Sequence, residues 1–244
     1  MNDDHARQAA DILERVRGAR PRVHCLMNTV VQKFTADGIS VLGAIPSMTS
    51  SLEEVEAFVD RADALTVNLG TLDQEKRRAI ELAVNVANAQ AKPWIVDPVH
   101  IDSSPSRLAF ARTLLKRSPS CVRGNAAEMA ALGDTGPRLI IQTGASDRLS
   151  QNGEIIRIEN GHPWMAMVTG TGCLSGGLIA AFMAVEPDML IASAAALLVV
   201  GVSAELAVEH SRGPGSFGVA LLDAISSITQ SDLVSRARIH HDKG

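Results

Sequence analysis

Apolar positions along this chain recur with two periods, which alternate over most of its length. Asp4–Val16 reads as an amphipathic helix, Arg22–Leu26 as a short strand and Val30–Leu42 as a helix. Ser51 with Glu54 has the form of a capping box opening a helix that ends near Ala62. Ala64–Leu69 reads as a strand, and Thr71 with Gln74 as a second capping box before a long helix to about Gln90. Trp94–Val96 is a buried-strand pattern ending at Asp97-Pro98, and Ser104-Pro105 starts a helix in the N-cap, N1 arrangement. Ser120–Val122, Ala126–Leu132 and Leu139–Gln142 continue as strand, helix and strand.

The period then shifts. Arg148–Gln151 and Glu154–Glu159 flank Asn152-Gly153, a two-residue hairpin signal. Helical patterns follow from Gly170-Thr171-Gly172 to Val185, over Asp188–Glu209 and over Phe217–Thr229. Repeated strand–helix alternation predicts an α/β fold: a mostly parallel central sheet with helices on both faces and an antiparallel hairpin at one edge. Ligands of such sheets bind at the carboxyl ends of the strands.

Composition narrows the class. With 244 residues, 46% hydrophobic and 20% charged, the chain reads as one globular domain over 1–244. The net charge is −4 and aromatics are 3% with no Tyr, against a basic, stacking nucleic-acid surface. The longest apolar run, near Ala192–Val202, is short for a membrane span and is interrupted by Ser193 and Gly201. Cys25, Cys121 and Cys173 are scattered, and with no signal-peptide pattern they fit a reducing, cytoplasmic setting. His240-His241 reads as a solvated tail, and the histidines form no metal motif.

Candidate chemistry falls at predicted strand ends. Gly170-Thr171-Gly172-Cys173 precedes an apolar helix, so glycines and free amides can admit an anion. A thiolate of Cys173 would be favoured at that positive helix end. The same residues also fit a plain tight turn with a small buried Cys. Asn125 and Glu128 share the first turn of a helix after Arg123; Glu128 can orient water on a cation and Arg123 can hold phosphate, or the pair is only a helix cap. Asp97 before Pro98 is a magnesium candidate or a turn former, and Thr143-Gly144, also after a strand, is a candidate site position or a turn. Asn28 sits among apolar neighbours and also fits a cap for the next helix, while Met48 reads as packing. Neither GxxxxGK[ST] nor GxSxG is present, against P-loop and α/β-hydrolase sites, and the one GxGxxG spacing, Gly213–Gly218, follows a helical pattern where a dinucleotide site needs a strand.

Taken in order, these blocks resemble the hydroxyethylthiazole kinase family of the ribokinase-like superfamily. They run from His24-Cys25 to Asn28, through Pro46 to Met48, Asn68-Leu69-Gly70-Thr71-Leu72 and Asp97-Pro98-Val99. They continue with Arg123-Gly124-Asn125-Ala126-Ala127-Glu128, Thr143-Gly144, Asn160–Pro163, Val168–Cys173 and Gly213–Phe217. The resemblance implies a kinase phosphorylating 4-methyl-5-(2-hydroxyethyl)thiazole with ATP and Mg²⁺ in thiamin salvage, as a homotrimer with active sites between subunits. It implies that Arg123 and Thr143 contact ATP, and that Met48, Gly170, Asn28 and Gly70 line the alcohol pocket. Asp97 and Glu128 would serve the magnesium, through water. Gly170, Thr171, Gly172 and Cys173 would form the catalytic anion hole, with Cys173 near the hydroxyl where most ribokinase-like kinases have an Asp.

The chain departs from the family pattern in three places. His100-Ile101-Asp102-Ser103-Ser104 replaces a Gly-rich stretch after Asp-Pro-Val, only Gly133–Arg138 stands where a helical insertion is common, and Ala145 replaces a Glu, leaving Asp147 as the nearby carboxylate. Two alternatives follow: a ribokinase-like kinase of hydroxymethylpyrimidine or pyridoxal, or a ligand-binding relative without turnover. Cys173 and the His24–Asn28 block argue against the first.

Overall fold

The computed structural model describes residues 2–136 and 138–242. Its strands are β1 (Arg22–Leu26), β2 (Ile45–Ser47), β3 (Ala64–Asn68), β4 (Trp94–Asp97), β5 (Cys121–Asn125), β6 (Leu139–Thr143), β7 (Asp147–Gln151), β8 (Glu154–Ile158) and β9 (Ile239–Asp242). They form a single nine-stranded sheet in the order β2-β1-β3-β4-β5-β6-β7-β8-β9. Pairing is parallel from β2 to β6 and antiparallel from β6 to β9. The mostly parallel sheet with an antiparallel hairpin at one side is the one the alternating pattern predicts.

Side chains alternate across this sheet, so it feeds two cores. Val23, Cys25, Ile95, Cys121 and Ile141 pack with α1 (Asn2–Ala19), α2 (Gln32–Leu42), α7 (Thr171–Met183), α8 (Met189–Glu209), α9 (Pro214–Ser227) and α10 (Gln230–Arg236). Leu26, Leu65, Val67, Val96 and Val122 pack on the other face with α3 (Val55–Asp60), α4 (Gln74–Ala89), α5 (Pro105–Leu115) and α6 (Ala126–Leu132). α8 is long and apolar enough to cross a membrane, but 78% of its apolar window is buried against the rest of the protein. It is a core helix, apolar all round because it is enclosed all round.

Local signals decide several boundaries. Ser104 caps α5 by accepting from the Arg107 amide, with Pro105 opening the helix. Asn152 and Gly153 have φ of 51° and 90°, the left-handed pair of a tight hairpin turn between β7 and β8. Neither expected capping box near α3 and α4 forms. Ser51 Oγ accepts from the Glu53 amide, the Glu54 carboxylate accepts from Thr49 Oγ1, and Asp73 rather than Thr71 caps α4. Thr71 instead adopts φ 47° and accepts from the Thr29 amide.

Five elements differ from the expected ones. The helix after Asn28 begins with a 3-10 turn, Thr29–Val31, before α2. β2 was hidden by Pro46, which an edge strand tolerates. The last helix starts at Pro214 and a further helix, α10, follows behind a Thr229–Asp232 capping box. The His240-His241 tail is part of β9, another edge strand with little apolar signal: His241 is almost covered and pairs with Glu154 at 3.0 Å, while His240 stays half-exposed. Residues 133–136 and 138 hold no helix, in line with the short bridge, and Pro137 lies outside the described residues.

Candidate functional site

Parallel register brings the polar ends of β3, β4 and β5 to one edge of the sheet. Asn68 stands opposite Asp97, and Asn125 opposite Thr143 on β6. α7 crosses beneath these strands and delivers its first turn to the same place. The result is a compact buried polar group. Asn68 Nδ2 donates to Asp97 Oδ2 at 2.8 Å and lies 3.3 Å from Cys173 Sγ, while its Oδ1 accepts from the Gly70 amide at 2.9 Å. Arg123 approaches Asp97 Oδ2 at 3.5 Å.

The first turn of α7 has no side-chain cap. Gly170 takes the N-cap position with φ 102°, and an added Cβ would lie 3.0 Å from Val31. Thr171 opens the helix, its hydroxyl donating to the Met165 carbonyl at 2.6 Å. Gly172 itself lies within the helix, so its conformation is ordinary. What requires glycine there is space, because a Cβ would come within 3.0 Å of the Arg123 guanidinium. Among the described residues, the amides of Gly172 and Cys173 have no acceptor. Two free helix-end amides therefore sit beside a buried guanidinium, an arrangement that receives a phosphate-like anion.

Burial sets the protonation states here. Cys173 is pushed up to about 11, first by desolvation and next by the negative charge of Asp97; Arg123 and the Asn68 hydrogen bond only partly oppose this. The expected thiolate is therefore absent at neutral pH: desolvation outweighs the helix dipole, and Cys173 is a thiol. Asp97 is pushed up to about 6 by burial, against the pull of Arg123. Its Oδ1 is buried and accepts no hydrogen bond, which leaves one oxygen available to a hydrated hard cation.

Glu128 forms a complete capping box with Asn125. Glu128 Oε2 accepts from the Asn125 amide at 2.8 Å, and Asn125 Oδ1 accepts from the Glu128 amide at 2.9 Å. Its other oxygen accepts from the His100 amide at 2.9 Å. Each oxygen keeps a further lone pair, so capping and orientation of water are compatible. His100 holds φ 57°, a conformation that glycine favours, so the loop keeps a glycine-like path without glycine. It carries His100 and Asp102 to Glu128, their ligand atoms all within 4.8 Å of one another. Thr143 Oγ1 reaches the Gly124 carbonyl at 3.4 Å, and Asp147 accepts from the Gly144 amide at 3.0 Å, which closes the turn that Ala145 occupies.

Asn28 caps the following 3-10 turn by accepting from the Val30 amide, yet it also packs against Gly70 so tightly that a Cβ there would lie 2.7 Å from its Nδ2. Met48 stands apart, two strands from β3 on the far side of β1, where it packs into the first core. Three residues escaped the sequence reading of roles. Asn68, polar within an apolar strand, was visible as such. Lys76 lies on the stripe of α4 formed with Ala79, Ile80, Ala83 and Val84, where an apolar residue is expected. His24 is fully buried and accepts from Ser47 Oγ at 2.8 Å while donating to the Thr49 carbonyl at 3.0 Å, so it holds both neighbours of Met48; burial lowers its pKa to about 4 and keeps it neutral.

Comparison with known proteins agrees with the geometry. The hydroxyethylthiazole kinase family model matches residues 13–139 and 134–231. A protein of Agrobacterium fabrum named "Probable hydroxyethylthiazole kinase" is 65% identical over 239 residues, covering 98% of this chain and 97% of that protein. A hydroxyethylthiazole kinase of Granulibacter bethesdensis is 38% identical, covering 93% and 92%. The structure of a hydroxyethylthiazole kinase protein from Pyrococcus horikoshii superposes with a TM-score of 0.93 at 33% identity, over 96% of this chain and 99% of that one. Pyridoxal kinase of Staphylococcus aureus, at 15% identity and a TM-score of 0.66, shares the fold alone. With the model matching most of the chain and relatives aligned nearly end to end, this chain belongs to the hydroxyethylthiazole kinase family.

Proposed function

We propose that the chain, acting as one domain over residues 1–244, transfers the γ-phosphoryl group of ATP to the hydroxyl of 4-methyl-5-(2-hydroxyethyl)thiazole. The observation that carries this reading is the pair of unbonded amides at Gly172 and Cys173 facing Arg123. Phosphoryl transfer through a loose transition state asks for positioning and charge neutralisation more than for covalent chemistry. Gly170, Thr171, Gly172 and Cys173 supply the anion hole. Arg123 neutralises phosphate oxygens, and Thr143 on the neighbouring strand contacts the nucleotide.

The alcohol occupies the region bounded by Asn28, Gly70 and Gly170, with Met48 closing it. The protonated Cys173 thiol orients the hydroxyl rather than removing its proton, since a loose transition state needs little help from a base. Asp97, through its free oxygen, and Glu128 would hold Mg²⁺ by way of water. Bound there, the ion would neutralise charge on the nucleotide phosphates. The family resemblance adds a homotrimer with sites between subunits, which gives Met48 a route to the pocket of a neighbouring copy, and a cytoplasmic location.

Release of ADP with a panel of vitamin-precursor alcohols tests the assignment. The expected result is turnover with the thiazole alcohol well above that with hydroxymethylpyrimidine or pyridoxal. Preference for either of those would reassign the substrate, and no turnover with any would make the chain a binding relative.

A further inference from the structure

We propose that Lys76 is a positioning residue for the alcohol substrate: its buried ammonium ties together the two loops that carry Asn28 and Gly70, and so sets the shape of the alcohol pocket. This rests on the reading above that those two residues line the pocket. Lys76 Nζ donates to the Met27 carbonyl at 2.7 Å and to the Gly70 carbonyl at 2.6 Å. The first precedes Asn28 at the end of β1, and the second follows Asn68 at the end of β3. The residue is 7% exposed and, among the described residues, forms no ion pair.

This is an expensive place for a cation. Lys76 sits in the first turn of α4, where the helix dipole disfavours positive charge, and on an apolar stripe that Met or Leu would fill. An ammonium supplies what those residues lack: donors for two carbonyls of separate loops. Both loops already converge, because Asn28 packs on Gly70 and the Gly70 amide is bound by Asn68. Asn68 in turn lies against Asp97 and Cys173. A displacement at Lys76 therefore reaches the alcohol side of the site by a short path, while Arg123 and Thr143 lie on β5 and β6, away from both loops.

The charged groups around Lys76 set a pH range for this device. Burial and then the Arg107 charge lower its pKa to about 8, against Asp73, Cys173 and Asp97. Above that pH the amine keeps two N–H donors but loses charge assistance, and its bonds weaken by about half.

The test compares wild type with Lys76→Met by measuring KM separately for the thiazole alcohol and for ATP. Wild-type turnover of that alcohol is established first. If it is absent, the functional reading fails and this proposal with it. The expected result is an alcohol KM about ten- to a hundredfold higher in the variant, the scale of a displacement of about 1 Å, with ATP KM within about twofold. Wild-type alcohol KM should also rise above about pH 8, a rise missing from the variant. Equal changes in both KM values, or a lower melting temperature with alcohol KM unchanged, would overturn it. Should the variant not fold, the wild-type profile decides, and a flat alcohol KM from pH 7 to about 9.5 refutes the role.

Discussion

The helices α6 and α7 both begin at the carboxyl edge of the sheet, but they treat their exposed amides in opposite ways. α6 is closed. Asn125 and Glu128 satisfy each other, and the remaining Glu128 oxygen takes the His100 amide as well. α7 is open, with a glycine N-cap, no acidic residue in its first turn and free amides on Gly172 and Cys173. Gly172 and Cys173 are half-buried, so their unbonded amides open into the site, where an anion can accept from them. On the proposed function, the contrast would give α6 the task of holding the loop and the carboxylate, and α7 that of receiving the transferring phosphate.

The largest expected effect comes from closing the open end. Gly172→Val places a branched side chain against Arg123 and over the free amides, so it displaces the guanidinium and blocks an anion together. ATP turnover should fall by about a thousandfold or more, the combined scale of lost hole donors and a lost charge contact, with circular dichroism unchanged. Wild-type turnover in this variant would mean that α7 does not hold the phosphate, and the contrast between the two helices would have no functional content.

Changes at the neighbouring charges should be smaller. Arg123→Ala and Glu128→Gln are each expected to lower turnover about ten- to a thousandfold. They differ in stability. Gln retains one acceptor oxygen, so either the His100 or the Asn125 amide loses its partner, at about 1–3 kcal/mol in the melting transition. If Glu128→Gln loses stability and keeps full turnover, the carboxylate is a cap and nothing more.

The parallel sheet, most helices and the Asn152-Gly153 hairpin were legible because period and turn chemistry are local. β2 and β9 were not, since Pro46 and the His240-His241 pair hide edge strands whose stability comes from pairing rather than pattern. The site divided in the same way. Arg123, Glu128, Asp97 and the glycine turn stand at ends of readable elements. Asn28 and Gly70 make sense only as a pair brought together across strands, and Lys76 only as a clamp on both. The dipole argument for a Cys173 thiolate failed because it is local, whereas desolvation and the Asp97 charge depend on the assembled site.

Cys173 gives the smallest and most discriminating effect. Its thiol is raised to about 11, so near neutrality almost none is ionised, and only above that value would a thiolate predominate. A thiol used as a proton acceptor would make turnover climb with pH toward about 11. A thiol that only orients the hydroxyl leaves no such dependence, and its loss removes one weak contact while the backbone amides stay in place. Cys173→Ala should therefore lower turnover by about three- to thirtyfold, with the shape of the pH–rate profile between about pH 6 and 9 unchanged. Asn68 loses a sulfur neighbour in that variant but keeps its bond to Asp97, so the buried group should hold together. A profile that climbs with pH in wild type and is flat in Cys173→Ala would make Cys173 the base. The open end of α7 would then supply the acid–base chemistry as well as the anion hole.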